Sequence, residues 1–197
     1  MKSSKSNPEP SKASPTNSSL QESKIHLPDS FPIVGIGASA GGLATFEAFF
    51  SALPPSVDCG MAFVIVQHLS PDHKSLLCEL IQRYTTMQVH DITDNMEVLP
   101  DHTYIIPPSK NITLCNGKLQ LSDIATERGH RNPIDFFFRS LAIDQQERAI
   151  CIILSGTGSD GTLGARAVKG AGGLVLAQSP ETAEFDGMPQ SVISSNL

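Results

Sequence analysis

The sequence predicts an α/β protein with a doubly wound, mainly parallel sheet and helices on both faces. Short apolar runs rich in β-branched residues alternate along the chain with segments whose apolar residues recur at helical spacing. Several runs are apolar throughout, which is typical of parallel strands buried on both faces. One hairpin signal, Asn116-Gly117, lies inside the segment 112–121 and predicts an antiparallel β-hairpin excursion near an edge of the sheet.

Five apolar runs predict the strands of this sheet. Each is short and bounded by glycine, proline or polar residues, as buried strands are. The sequence AICIIL is continuous enough to be covered on both faces. The runs are 32–36, 61–66, 103–107, 149–154 and 174–177.

Four segments between these runs predict helices. Residues 43–53 have apolar residues at helical spacing until Pro54 ends the pattern. Ser70-Pro71-Asp72 and Asn132-Pro133 are typical helix starts, because each joins a capping side chain to a proline at the first helical position. A further helix is predicted over 161–170.

The first thirty residues differ in composition from the rest of the 197-residue chain. They are crowded with Ser, Pro, Asn and Lys and contain few large apolar residues. Such a segment cannot bury enough surface to offset the entropy lost on ordering. We therefore predict a disordered N-terminal tail over 1–30 and one folded domain over 31–197.

Composition argues against several classes of protein. The net charge is −6 and no basic cluster stands out, which argues against a nucleic-acid partner. No apolar run approaches the roughly 18 residues of a membrane span, and the N-terminus lacks the apolar core of a secretory signal. The four cysteines form no C-x-x-C pair, which predicts reduced thiols in a cytoplasmic protein.

Three polar loops follow predicted strands and carry a hydroxyl, an imidazole and a carboxylate. Ser39 lies in GASAGG, His68 in QHLSP and Asp160 in SGTGSDGTLG. Because strand-to-helix loops of a parallel sheet lie on one edge, we expect these side chains to converge. A serine nucleophile needs a base, and an imidazole base needs an acceptor that fixes its tautomer. The pattern therefore indicates nucleophilic acyl transfer.

The same glycine-rich turn permits a second interpretation. Residues 35–40 match the dinucleotide fingerprint G-x-G-x-x-A between a strand and a helix. That fingerprint requires an acidic residue at the end of the second strand to bind the ribose, and this position holds Gln67-His68 instead. Dinucleotide binding is therefore the weaker alternative. The acidic segment 181–186 is interpreted as a solvated loop, and no metal site is predicted.

From Phe31 onward, the sequence resembles the catalytic domain of CheB-type protein-glutamate methylesterases. The segments that carry the resemblance occur in the family's order and cover nearly all of 31–197. It is most similar to the esterase domain found in CheB/CheR methylesterase–methyltransferase fusion proteins. The segments are VGIGASAGG, VIVQHLSPDH, YIIPP, GHRNPIDFFFRSLA, ILSGTGSDGTLGARAVKGAGG and AQSPETAEFDGMP.

The resemblance implies a role for each matching residue. Ser39 would be the nucleophile, His68 the general base and then acid, and Asp160 the residue that orients the imidazole. Backbone amides of the surrounding loops would form the oxyanion hole, and the sequence leaves open which of them do so. The candidates at these site loops are Ala40, Gly41, Thr157 and Gly158.

The resemblance also implies a substrate and a setting. The substrates would be glutamate γ-methyl esters on the helical cytoplasmic part of chemoreceptors, and family members also deamidate receptor glutamines. No metal or organic cofactor is required. His130 and Arg131 would contact the receptor by analogy; the alternative is a solvated loop in which Asn132 caps the following helix.

The chain departs from the family pattern in several places. Many members have threonine at the position of Ala40 and methionine at that of Thr157. Stand-alone relatives carry a receiver domain that thirty polar residues cannot form. The sequence stops at Leu197, where we expect a C-terminal truncation, with a CheR-type methyltransferase and sensor modules in the full-length protein. These departures leave open a catalytically quiet, receptor-binding domain.

Overall fold

The computed structural model describes Met1 and residues 30–54, 59–67, 76–123 and 132–197. The folded unit is Phe31–Leu197. The tail predicted over 1–30 lies, apart from Met1 and Ser30, outside the described residues. The helix start predicted at Ser70 also lies outside them. None of the described helices is long and apolar enough to cross a bilayer.

Nine strands and five α-helices make up the described part of the fold. The strands are β1 Ile33–Ala38, β2 Ala62–Gln67, β3 Gln88–Asp91, β4 Met96–Glu97, β5 His102–Ile105, β6 Lys110–Cys115, β7 Lys118–Asp123, β8 Ala149–Ile153 and β9 Leu174–Ala177. The α-helices are α1 Gly42–Ala52, α2 Leu76–Gln82, α3 Pro133–Gln145, α4 Thr162–Gly170 and α5 Gly187–Ser194. Short 3-10 turns cover Gln146–Arg148 and Pro180–Thr182.

Six strands form one central sheet in the order β3-β5-β2-β1-β8-β9. Every neighbouring pair in it is parallel. The five strands predicted from apolar runs are all present, so the doubly wound α/β fold class is confirmed. Because β1 lies between β2 and β8, the loops that follow these three strands begin side by side at the carboxyl edge.

Helices cover both faces of the central sheet. On one face, Phe46 and Phe50 of α1 are completely buried, and they belong to the same apolar cluster as Ile36 and Ile65 of the sheet. On the other face, α3 lies so close to β1 that a Cβ on Gly35 would be 2.8 Å from Phe138. The glycines of β1 thus let α3 approach the strand that leads to the polar turn.

The predicted antiparallel hairpin is confirmed, and it belongs to a small second sheet. β6 and β7 pair antiparallel around Asn116 and Gly117, whose φ values of 50° and 71° are those of a tight hairpin turn. With β4 they form a separate three-stranded sheet, not an edge of the central one. Ile112, Leu114 and Leu119 are buried within the cluster that includes α3, so the hairpin has its own packing partner.

The sequence analysis missed β3, β4 and α5. β3 has the polar sequence QVHD and is an edge strand with no fully buried residue, so it lacks the apolar run by which a strand is recognised. β4 has only two residues. α5 buries Met188, Pro189 and Val192, which is too short a pattern for a helix to stand out.

Candidate active site

The loop after β1 turns sharply between the strand and α1. Ser39 donates its N–H to the Ser155 carbonyl over 3.0 Å, and the Ser39 carbonyl accepts the Gly42 N–H over 3.0 Å. Gly41 has a φ of 73°, in the left-handed region that favours glycine. The turn therefore holds Ser39, which is partly exposed, just beyond the end of a buried strand and directly before the helix.

Two backbone N–H groups beside Ser39 are available to a ligand. Within the described residues, neither Ala40 nor Gly41 donates its N–H to a hydrogen-bond acceptor. Both precede the first turn of α1, where the helix dipole favours negative charge. Unpaired N–H groups that follow a serine at a helix N-terminus are suited to stabilising an oxyanion.

Ser155 connects the turn to two other segments. Its side chain is fully buried and its hydroxyl donates to the Ala40 carbonyl over 2.9 Å, with the Phe185 carbonyl at 3.3 Å. The same oxygen accepts the Phe185 N–H over 3.0 Å. Its backbone N–H donates to Oε1 of Gln178 over 2.9 Å. The sequence analysis missed Ser155, because one serine after a buried strand does not stand out in a polar loop.

The loop after β8 packs directly against the turn that holds Ser39. A Cβ on Gly156 would be 3.1 Å from the Ser39 Cβ and would collide with Met188. The Gly156 N–H donates to the Phe185 carbonyl over 2.9 Å, so this amide is already paired and is not a free oxyanion donor. Thr157 and Gly158 are exposed on the outer side of the same loop.

Asp160 is held by the N-terminus of α3. Its carboxylate is 7% exposed and accepts the Ile134 N–H at 3.1 Å and the Asp135 N–H at 2.9 Å. Asn132 occupies the N-cap position but its side chain makes no capping hydrogen bond, so the cap expected from Asn132 is supplied by Asp160 instead.

Asp135 of α3 in turn accepts a hydrogen bond from α4. Its Oδ1 accepts the Gly164 N–H over 2.7 Å, so α3 and α4 exchange carboxylate caps at the carboxyl edge of the sheet. Burial raises the pKa of the Asp135 carboxyl; the Gly164 hydrogen bond opposes this shift, and the nearby Asp160 charge adds to it. The exchange fixes the position of Asp160 relative to both helices.

Three of the predicted site residues lie outside the described residues: His68, His130 and Arg131. The residue before His68 is described. Gln67 ends β2 opposite Ala38, and its Nε2 is 3.5 Å from the Ser39 carbonyl that accepts its hydrogen bond. Oε1 of Gln67 is buried without a hydrogen-bond partner among the described residues. The strand that leads to His68 therefore ends beside the Ser39 turn.

The acidic segment 181–186 is exposed except at Ala183, as expected for a solvated loop, but one of its carboxylates approaches the turn. A Cβ on Gly41 would be 2.9 Å from Oε2 of Glu184 and 3.1 Å from the Glu184 Cβ. A negative charge thus lies beside the N-terminus of α1. Within the described ranges, no cluster of three or more His, Cys, Asp or Glu side chains could hold a metal ion.

Comparison with known proteins gives one consistent family. The family described as CheB methylesterase matches residues 34–197. The solved CheB methylesterase catalytic domain of Thermotoga maritima superimposes with a TM-score of 0.77 at 32% identity, covering 85% of this chain and 89% of that one.

Curated relatives extend beyond the matched region. The protein-glutamate methylesterase/protein-glutamine glutaminase of Pectobacterium atrosepticum is 31% identical over 175 residues, which are 86% of this chain and 49% of the relative. An uncharacterized 104.1 kDa protein of Rhodobacter capsulatus is 44% identical over 121 residues, 61% of this chain but 13% of that protein. The chain therefore spans about half the length, or less, of these relatives.

Proposed function

Because the chain belongs to the CheB methylesterase family, we propose that its folded domain hydrolyses γ-methyl esters of glutamate side chains in proteins, with Ser39 as the nucleophile. The observation that carries the proposal is the turn itself. It holds a partly exposed serine between a buried strand and a helix N-terminus, beside two unpaired N–H groups. Relatives named as glutaminases support the same chemistry on glutamine side chains.

The proposed reaction is acyl transfer in two steps. His68 takes the Ser39 hydroxyl proton as the oxygen attacks the ester carbonyl, and a tetrahedral oxyanion forms. Collapse of this intermediate breaks the ester C–O bond, and His68 returns the proton to the departing methanol. Water, activated by His68, then hydrolyses the acyl-enzyme to the glutamate carboxylate and free Ser39.

The oxyanion is assigned to the Ala40 and Gly41 N–H groups, with Thr157 and Gly158 completing the wall of the site. Asp160 is assigned the orientation of the His68 imidazole. Two amides from α3 hold its carboxylate in place, one on each oxygen.

The setting proposed for this activity follows the family. The substrates are methylated chemoreceptors in the cytoplasm, contacted through His130 and Arg131. In the full-length protein, a CheR-type methyltransferase and sensor modules accompany the domain, within chemotaxis and two-component signalling. No metal or organic cofactor takes part in the proposed steps.

Methanol release from methylated chemoreceptor membranes tests the assignment. The wild-type chain should release methanol, and Ser39→Ala should lose about 10⁴- to 10⁶-fold in rate at an unchanged unfolding midpoint. If His68 is the base, the rate should also decrease as the pH is lowered through the titration range of a histidine, at about pH 6 to 7. Full activity of Ser39→Ala would refute the nucleophile.

One alternative has support in particular residues. Ala40 and Thr157 differ from the residues that many family members have at the site. They favour a domain that binds receptor helices without turnover. Receptor binding by wild-type protein that releases no methanol, and whose Ser39 is not acylated by an activated ester, would establish this second function.

A further inference from the structure

We propose that the Ser155 hydroxyl is a positioning group that fixes the Ala40–Gly41 peptide in the orientation needed for oxyanion stabilisation. This inference rests on the proposed esterase function of the same site. It assigns a specific task to a buried side chain that neither the triad nor the glycine-rich motif includes. Ser155 does not touch the substrate; it acts through the peptide that it holds.

The first step of the argument is the geometry of a peptide unit. A trans peptide is planar, so the N–H of Gly41 points opposite to the carbonyl of Ala40. The Ser155 hydroxyl donates to that carbonyl over 2.9 Å. Because the Ala40 carbonyl oxygen faces Ser155, the Gly41 N–H points away from Ser155. This N–H has no acceptor among the described residues.

The neighbouring peptide is held by other groups. The Ser39 carbonyl accepts the Gly42 N–H over 3.0 Å and lies 3.5 Å from Nε2 of Gln67. The Ala40 N–H therefore keeps its direction without Ser155. Of the two proposed oxyanion donors, only the Gly41 N–H depends on the Ser155 side chain.

The second step is the freedom of the glycine. Gly41 has a φ of 73°, and glycine visits positive and negative φ with similar ease. The Ala40–Gly41 peptide can rotate between alternative turn geometries unless a hydrogen bond selects one of them. Ser155 is 0% exposed, so water is poorly placed to substitute for its hydroxyl.

The third step is the coupling to the acidic segment. The Ser155 oxygen accepts the Phe185 N–H over 3.0 Å, and the Gly156 N–H donates to the Phe185 carbonyl over 2.9 Å. The hydroxyl thus joins the Ser39 turn to the acidic segment that carries Glu184. Loss of the hydroxyl would remove this link and leave only the backbone hydrogen bonds that hold each segment.

The test compares Ser155→Ala with Ser155→Thr and with a matched control. Ser140 makes the same two kinds of bond elsewhere: its hydroxyl donates to the Phe137 carbonyl over 2.7 Å and accepts the Leu114 N–H over 3.0 Å. Ser140→Ala therefore removes an equivalent hydroxyl between α3 and β6. Methanol release, its pH profile and the thermal unfolding midpoint are measured for the full chain and for each variant.

Both alanine variants should lower the unfolding midpoint, because each removes a hydrogen-bonded hydroxyl, but only Ser155→Ala should lower turnover. Ser155→Ala should lower kcat by about 10- to 100-fold, somewhat less than deletion of an oxyanion donor, because the N–H remains but is misdirected. KM and the apparent pKa of the rate profile should be unchanged, since binding groups and base are untouched. Ser155→Thr keeps a hydroxyl and should retain most of the wild-type kcat. Ser140→Ala should lower the unfolding midpoint without lowering kcat.

Two results would overturn the inference. One is a kcat for Ser155→Ala within twofold of wild type; the other is an equal loss of kcat in Ser140→Ala, which would indicate a general structural effect. A wild-type chain that releases no methanol refutes the proposed function instead. In that case the Gly41 amide resonance still decides: exchange broadening should appear in Ser155→Ala and not in Ser140→Ala, and a sharp signal in both would refute the positioning role.

Discussion

The N-termini of α1 and α3 lie at the same edge of the sheet but satisfy their N–H groups in opposite ways. At α3, the Asp160 carboxylate accepts two N–H groups, and Asp135 of α3 in turn accepts one from α4. At α1, Gly41 occupies the N-cap position and no side chain caps the helix. Carboxylates thus cap the N-termini of α3 and α4, which we call closed termini. The N-terminus of α1 has no side-chain cap, and we call it the open terminus.

This difference distinguishes helix N-termini that hold a carboxylate in place from one that is available to a reacting group. The unpaired N–H groups at a helix start attract negative charge wherever they lie. Where the protein supplies the negative charge, the N–H groups fix a carboxylate in place. Where no carboxylate accepts their hydrogen bonds, the N–H groups remain available for a charge that develops during a reaction. The open terminus follows Ser39, and the closed ones hold Asp160, so each type of terminus suits its proposed task.

Asp160→Asn should have the largest effect, because it disturbs the closed terminus and the proposed triad together. In a serine triad, replacing the carboxylate with an amide stabilises the wrong imidazole tautomer and lowers kcat about 10⁴-fold. The side-chain NH2 of asparagine would also face one of the two backbone N–H groups that the carboxylate accepts. This contact between two donors should lower the free energy of unfolding by about 1 kcal/mol. Methanol release and chemical denaturation measure the two effects. A loss of kcat below tenfold would remove Asp160 from the triad.

Gly41→Ala should have the next largest effect, because it obstructs the open terminus. A Cβ there would be 2.7 Å from the Ser155 Oγ, and the left-handed φ of 73° costs an L-residue about 1–2 kcal/mol. We expect kcat to fall about 10²- to 10³-fold, as when an oxyanion donor is lost.

Gly117→Ala is the matched control for the left-handed φ. Gly117 has a φ of 71°, and a Cβ there would meet no atom within 4 Å. It should lose only the stability that this φ costs, without the cost of crowding, and no activity. Equal loss of kcat in both variants would contradict the proposed role of the open terminus.

The contrast between the termini was only partly visible in the sequence. The runs that form β1, β2 and β8 are apolar throughout, so their burial and their parallel neighbours could be predicted, and with them the convergence of three loops. The edge strand β3 and the short β4 could not, because their polar residues follow no strand pattern. Local pattern thus predicted the centre of the sheet better than its edge.

The site shows the same limit. Ser39 was recognisable because glycines surround it in a strand-turn-helix motif. The cap on α3 was assigned to the adjacent Asn132, yet it comes from Asp160, 25 residues or more beyond the amides that it accepts. Likewise, the partners of Ser155 are 115 and 30 positions away. Spacing along the chain contains no signal for such contacts, since only the fold brings the residues together.

Asp135→Asn sharpens the comparison, because it changes the side chain that caps α4 but keeps the Asp135 N–H that Asp160 accepts. Burial raises the pKa of Asp135 in the folded state, so the folded chain binds a proton more tightly than the unfolded chain does. Its contribution to stability should therefore fall as the pH rises from about 4, the unfolded value, through the raised folded pKa.

The difference in unfolding free energy between wild type and Asp135→Asn, measured by denaturant titration from pH 4 to 8, should show this dependence. The variant should lack the decline with rising pH that Asp135 causes. Its kcat at neutral pH should stay within a few-fold of wild type. A pH-independent difference would mean that Asp135 titrates alike in both states.

Glu184→Gln should have the smallest effect and an opposite sign. The Glu184 carboxylate lies beside Gly41 but accepts no hydrogen bond from a described N–H group of α1. Its charge should oppose the oxyanion that forms at the open terminus. The neutral variant should therefore raise kcat/KM a few-fold, and because exposed charges are screened by salt, the gain should shrink between 10 mM and 1 M. Methanol release at both salt concentrations measures this. A fall in kcat/KM would show instead that Glu184 helps to bind the substrate, and that the carboxylate beside the open terminus serves recognition.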